Sequence, residues 1–91
     1  MLKISQPISS QLSTYLREFT TKEDIADVAA EENSCSSSTL RDIVYRTNPV
    51  TEKNVLALKR LMSIASKNAD AKIKSARLCK KTVNQMLLDC V

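Results

Sequence analysis

Three cysteines and a run of hydroxyl side chains are the reactive groups of this 91-residue chain. A cysteine or serine nucleophile needs a nearby base, and the chain has no histidine to supply one. Cys35, Cys79 and Cys90 are an odd number at wide spacings, which fits neither a disulfide framework nor a four-ligand metal site. We therefore predict a protein that is not an enzyme, holds no metal or other cofactor, and carries buried or unreactive thiols.

The absence of glycine limits both the fold and the ligands. Tight hairpins and phosphate-binding loops use glycine where a side chain would intrude, and the chain has none, with only two prolines. The length suits one domain. We predict a single all-α domain over residues 1–91, with four to five helices and no small-molecule site. The start has no apolar leader and no run reaches a membrane span, so we expect a cytoplasmic protein without a membrane partner.

Charge is distributed unevenly along the chain. Residues 1–35 carry three basic and six acidic side chains, whereas residues 36–91 carry eleven basic and four acidic ones. Concentrated positive charge predicts an anionic partner for the second part, with nucleic acid favoured over a membrane surface. A solvated helix surface gives the same count, so both interpretations stand at this point.

Apolar periodicity and capping residues predict three short helices in the first half. Hydroxyl residues at 9–10, 20–21 and 36–37 supply the N-terminal caps. Asn33 ends the second helix, because asparagine tolerates the left-handed conformation. Three apolar positions of the third helix are expected to face the core: Leu40, Ile43 and Val44.

A loop at 47–50 and a cap at Thr51 precede the strongest helical pattern, which begins at Glu52. A second apolar stripe continues from Ile73 to Cys90, and the sequence leaves open whether the two segments form one rod or break near 68–70. That stripe either packs back on the other helices or forms a two-fold dimer seam. We favour a homodimer through a C-terminal helical segment at about 69–91.

The layout of two short helices, a tight turn and small polar residues at the start of the second helix is that of a helix-turn-helix. Residues 24–29, DIADVA, and 35–44, CSSSTLRDIV, resemble the run hydrophobic-Ala, turn, small apolar, Ser-x-x-Thr-hydrophobic-x-x-hydrophobic of helix-turn-helix regulators. The likeness is to the lambda-repressor-like and resolvase-like groups, especially small regulators of Bacteroidetes and their mobile elements. It covers about residues 20–67. It implies a helix-turn-helix at about 21–47, binding to specific sequences of double-stranded DNA, and transcription regulation in a bacterium or phage.

Within that resemblance the third helix lies in the major groove. Arg41 and Arg46 are the candidates to read guanine, because a forked donor meets O6 and N7 together. Asp42 would accept from cytosine N4 or orient Arg46, and Tyr45 would reach a phosphate or a thymine methyl. The complete set expected to contact DNA is Thr21, Lys22, Ser36, Ser37, Ser38, Thr39, Arg41, Asp42, Tyr45, Arg46, Lys53 and Asn54.

Two other functions fit the same residues. A helical protein-interaction module, such as an adaptor or anti-repressor, would dock through the apolar stripe that begins at Ile73. An architectural protein would bind DNA without sequence preference, with strong salt dependence. Individual residues also have structural interpretations: the serine run as a helix cap, and Arg41 stacked on Tyr45 as a stabilising contact.

Overall fold

A computed structural model describes residues 2–33 and 35–90. Met1, Ser34 and Val91, which belong to the predicted single domain, lie outside the described residues. The helices are α1 (Ser10–Phe19), α2 (Lys22–Glu32), α3 (Ser37–Val44) and α4 (Val55–Asp89). No strand occurs in the described ranges. The predicted all-α fold with a long C-terminal helix is confirmed, and the two C-terminal segments form one continuous helix of 35 residues.

Side-chain hydroxyls cap the N-terminal ends of the first three helices. Ser9 accepts from a backbone amide at the start of α1, and Ser36 does so at the start of α3. Thr21 and Asp24 form a reciprocal capping box at the start of α2, at 2.9 and 3.2 Å. Asn33 ends α2 with a left-handed φ of 57°. The predicted caps and the predicted end of α2 are confirmed.

Two predicted helix boundaries are wrong. The last helix starts at Val55 rather than Glu52, because Thr51 and Asn54 hold residues 52–54 in a turn through reciprocal backbone-to-side-chain bonds of 2.8 and 3.3 Å. The third helix ends at Val44, so Arg46 does not lie on it. Arg46 instead has a left-handed φ of 66°.

The core lies where α1, α2 and α3 pack against the N-terminal half of α4. The predicted inward residues of α3 are all buried. Burying each side chain of this size stabilises the fold by about 1.5–3 kcal/mol. The largest fully buried side chains are Leu16, Val28, Leu40, Ile43, Val44, Val50, Leu58 and Leu61.

The N-terminal part of the chain bonds to the end of α3 and to the loop that follows it. The backbone amide of Ser5 donates to the carbonyl of Val50 at 2.6 Å, and the amide of Val50 donates to Gln6 at 2.9 Å. The buried Ser13 hydroxyl donates to the carbonyl of Val44 at 2.6 Å. These bonds tie the end of α3 and the loop after it to the N-terminal part of the chain.

The C-terminal half of α4 extends beyond the core. Every described residue from 70 to 90 is exposed, and the molecule measures 59 × 24 × 17 Å. The stripe therefore does not pack back within the chain. Cys79 and Cys90 are exposed and Cys35 is half-buried beside the core, so of the two alternatives, buried or unreactive thiols, burial does not hold for Cys79 and Cys90. None of the described helices is long and apolar enough to cross a membrane.

Candidate nucleic-acid interface

The N-terminal ends of α2 and α3 meet at a shallow depression of about 220 Å³. Lys22, Ile25 and Ala26 line it from α2. Ser37, Ser38 and Arg41 line it from α3. Four residues predicted to contact DNA therefore share one surface, and two helices hold it in place.

A second depression, of about 390 Å³, lies on the other side of the start of α3. Thr39 lines it from α3, and Lys53 lines it from the turn before α4. Asn48 and Thr51 also line it, and the sequence analysis did not include either in the site. The sequence predicts residues 47–50 as a loop and Thr51 as the cap of the last helix. The N-cap of α4 is Asn54 instead, and Thr51 belongs to the turn before it.

We call Lys22, Ser37, Ser38, Thr39, Arg41 and Lys53 together the α3 surface. Its three cations are exposed, and none makes a hydrogen bond or ion pair with another described residue. Ser37 and Ser38 are exposed in the first turn of α3. The amides of a first helical turn have no partner within the helix and favour an anion. The α3 surface thus combines exposed cationic side chains with the backbone donors of a helix start.

Three of the five carboxylates of α2 lie on the side of that helix toward α4. Glu31 forms an ion pair with Arg60 of α4, and Glu32 lies 3.6 Å from the same guanidinium. Asp27 faces a groove between α2 and α4 that Lys67 also lines. No carboxylate lines either depression beside α3. The charged side chains that line the two depressions are therefore all basic, although α2 as a whole is acidic.

Arg46 is engaged elsewhere. Its Nε donates to the carbonyl of Ile8 at 2.7 Å, which ties the end of α3 to the segment before α1. Tyr45, 55% exposed, lies beneath the guanidinium of Arg17, 5.6 Å from the ring centre. Among the described residues Arg41 does not stack on Tyr45, the contact offered as the alternative to DNA binding. Arg46 and Tyr45 both have structural partners and lie just past the end of α3.

The backbone of Asp42 and the side chain of Asn54 also make bonds within the fold. The backbone carbonyl of Asp42 accepts from the amide and hydroxyl of Thr47 at 2.8 and 3.0 Å. No ion pair joins Asp42 to Arg46 in the described ranges. Asn54 is 5% exposed, and its side chain bonds to Thr51 and Pro49. The side chain of Asn54 is therefore not free to contact a phosphate.

Thr21 and Ser36 are exposed caps at the edge of the α3 surface. Thr21 accepts from the amide of Asp24. Ser36 accepts from the amide of Thr39 at 3.1 Å and donates to its hydroxyl at 2.9 Å. Both hydroxyls therefore act as helix caps in this structure.

No group of three or more His, Cys, Asp or Glu side chains suited to a metal ion occurs in the described part of the chain. Comparison with protein-family models, with curated proteins and with solved structures found no match.

Proposed function

We propose that this chain binds specific sequences of double-stranded DNA with α3 in the major groove, and regulates transcription in the cytoplasm of a bacterium or of a cell that carries its phage. The observation that supports this most directly is the α3 surface. Its three unpaired cations surround the start of one helix, and no carboxylate lines the two depressions beside that helix.

The arrangement suits a duplex in three ways. An α-helix is about 10–12 Å wide and the major groove is about 12 Å wide, so α3 fits the groove. Lys22 and Lys53 flank the two sides of α3, where the phosphates of the two strands would lie. Arg41, one turn into α3, has both forked nitrogens available for guanine O6 and N7. Phosphate contacts give affinity and position, and Arg41 gives sequence preference.

The test is selection of duplexes from a random library, followed by titration of the enriched sequence and of a scrambled one. Arg41→Ala should lose about 1–3 kcal/mol of preference at one base pair, or roughly 5- to 150-fold. Arg77→Ala removes the same charge from the exposed tail of α4 and is the matched control. Arg46→Ala should lower stability and leave the preference intact, because its guanidinium holds Ile8.

Two outcomes would contradict the proposal. Equal, salt-sensitive binding to every duplex would make the protein an architectural DNA binder. No binding to any duplex would favour the protein-interaction function, for which the exposed stripe of α4 is the available surface.

A further inference from the structure

The side of α4 that faces the core continues as an apolar stripe beyond the core. Leu58, Leu61 and Ala65 are buried against the other helices. Steps of three or four residues carry the same side of the helix onward. The stripe positions beyond the core are Ile73, Ala76, Lys80, Val83, Leu87 and Cys90. Ile73, Val83 and Leu87 remain 46–61% exposed, so this side is buried in one half of α4 and open in the other.

We propose that the stripe is covered by the same stripe of a second copy, and that the two helices run antiparallel. Three observations carry this inference: the position of the chain's own core, the distribution of charge along the tail, and the sizes of the facing residues.

The position of the core excludes a parallel partner. A parallel copy seated on residues 73–90 would continue alongside residues 55–69, where the chain's own α1 and α2 already cover the same side of α4. The α4 helix of an antiparallel partner ends near residue 73 of the first chain, and the core of that partner lies beyond residue 90 of the first chain. Residues 73–90 of the two copies can therefore pair over their full length without either copy meeting the core of the other.

Charge also favours the antiparallel direction. Residues 70–81 carry five basic side chains and one acidic one, whereas residues 82–90 carry no basic side chain and only Asp89. Antiparallel pairing places the basic half of each tail against the uncharged or acidic half of the other. Parallel pairing would place Lys80 against Lys80 of the second copy on the stripe itself, which is unfavourable for like charges.

The residue sizes complement each other when the two-fold axis passes between Lys81 and Thr82. Ile73 then faces Cys90 of the other copy, Ala76 faces Leu87, and the stem of Lys80 lies on Val83. Each of these pairs joins a larger side chain to a smaller one. Residues 73–90 span about 26 Å at 1.5 Å per residue. Two such faces bury on the order of 1,000 Å² in total, near the lower limit of specific interfaces, so we expect a micromolar dimer.

The pairing sets a distance between the two cores. Leu58 lies about 35 Å from the two-fold axis along α4, so the two cores lie about 70 Å apart. This is close to two turns of B-DNA, at about 34 Å each. The consequence rests on the proposed function: selected operators should contain two half-sites about two turns apart.

The dimer is tested without DNA, by light scattering after size exclusion across a range of concentrations. Wild type should approach twice the 10.1 kDa chain mass at high concentration. Val83→Lys places a lysine against Lys80 of the other copy twice per dimer, and should weaken association by at least about 100-fold. Leu88→Lys adds the same charge to the same exposed segment, away from the stripe, and should remain dimeric. A wild-type monomer at every concentration, or equal effects of the two variants, would overturn the proposal.

Cross-linking tests the direction. In a Cys35→Ser, Cys79→Ser background, Ile73→Cys should form a disulfide with Cys90 of the other copy under mild oxidation, whereas Leu78→Cys, on the opposite side of α4, should not. A disulfide between the two Cys90 residues in preference to the 73–90 pair would show a parallel dimer and refute the arrangement. Because neither experiment contains DNA, failure here leaves the proposed DNA binding standing.

Discussion

Removing the two lysines beside α3 should reduce the salt dependence of DNA binding by a calculable amount. Lys22 and Lys53 are exposed and make no ion pair with any other described residue, so each is available to a phosphate. One lysine–phosphate contact contributes about 0.9 to the slope of log affinity against log salt. The double variant Lys22→Gln, Lys53→Gln should therefore lower the slope by about 1.8 for each bound chain.

The affinity change follows from this slope. When salt rises about fourfold, from roughly 50 to 200 mM, one contact weakens binding by about 3.5-fold and two contacts by about twelvefold. Wild type should lose about twelvefold more affinity than the double variant over that range, for each bound chain. Fluorescence anisotropy with a labelled operator duplex at three salt concentrations measures both values.

The matched control is Lys74→Gln, Lys81→Gln. It removes the same number of exposed positive charges, but from the tail of α4. If α3 and its flanks form the interface, the control retains the wild-type slope. If the control lowers the slope and the Lys22, Lys53 variant does not, DNA binds along α4, and the assignment of the α3 surface is wrong.

Two further predictions concern how the fold holds α3. Ser13→Ala should lower the free energy of unfolding by about 1–3 kcal/mol, because the buried carbonyl of Val44 loses its side-chain donor. The control Thr14→Ala, at an exposed site on the same helix, should change the free energy of unfolding by less than about 0.5 kcal/mol. Asn33→Ala should cost about 1–2 kcal/mol at its left-handed φ, whereas Asn33→Gly should be neutral or stabilising. Urea denaturation measures all four variants, and equal values for Asn33→Ala and Asn33→Gly would contradict the backbone argument.

The sequence predicted those parts of the fold that depend on neighbouring residues. The caps at Ser9, Thr21 and Ser36 act over three residues, and the apolar spacing of α3 repeats within two turns. Both follow from local geometry, which a sequence carries directly. The resemblance to helix-turn-helix regulators placed Lys22 in one set with Ser37, Ser38 and Arg41, and these four residues line one depression.

Contacts between distant residues were not predictable. Arg46 was assigned to DNA because its type and spacing fitted a base contact, yet the carbonyl that it binds belongs to Ile8, 38 residues earlier. Asn54 was expected to contact DNA, but it is buried and its side chain bonds to Thr51 and Pro49. A periodic pattern indicates that one side of a helix is apolar, but it does not indicate whether the same chain covers that side. The stripe from Ile73 to Cys90 is periodic and yet exposed.

The continuity of α4 determines how its exposed half unfolds. Forming the first turn is the energetically costly step of helix formation. In α4 this turn belongs to the half that packs on the core, so the exposed half does not have to form it separately. Residues 70–90 therefore need only extend an existing helix, and they lose order by fraying inward from Cys90 rather than in one cooperative event. Amide hydrogen exchange should accordingly quicken gradually from Ala69 to Cys90 in the monomer, and the gradient should flatten as protein concentration rises and the stripe is covered.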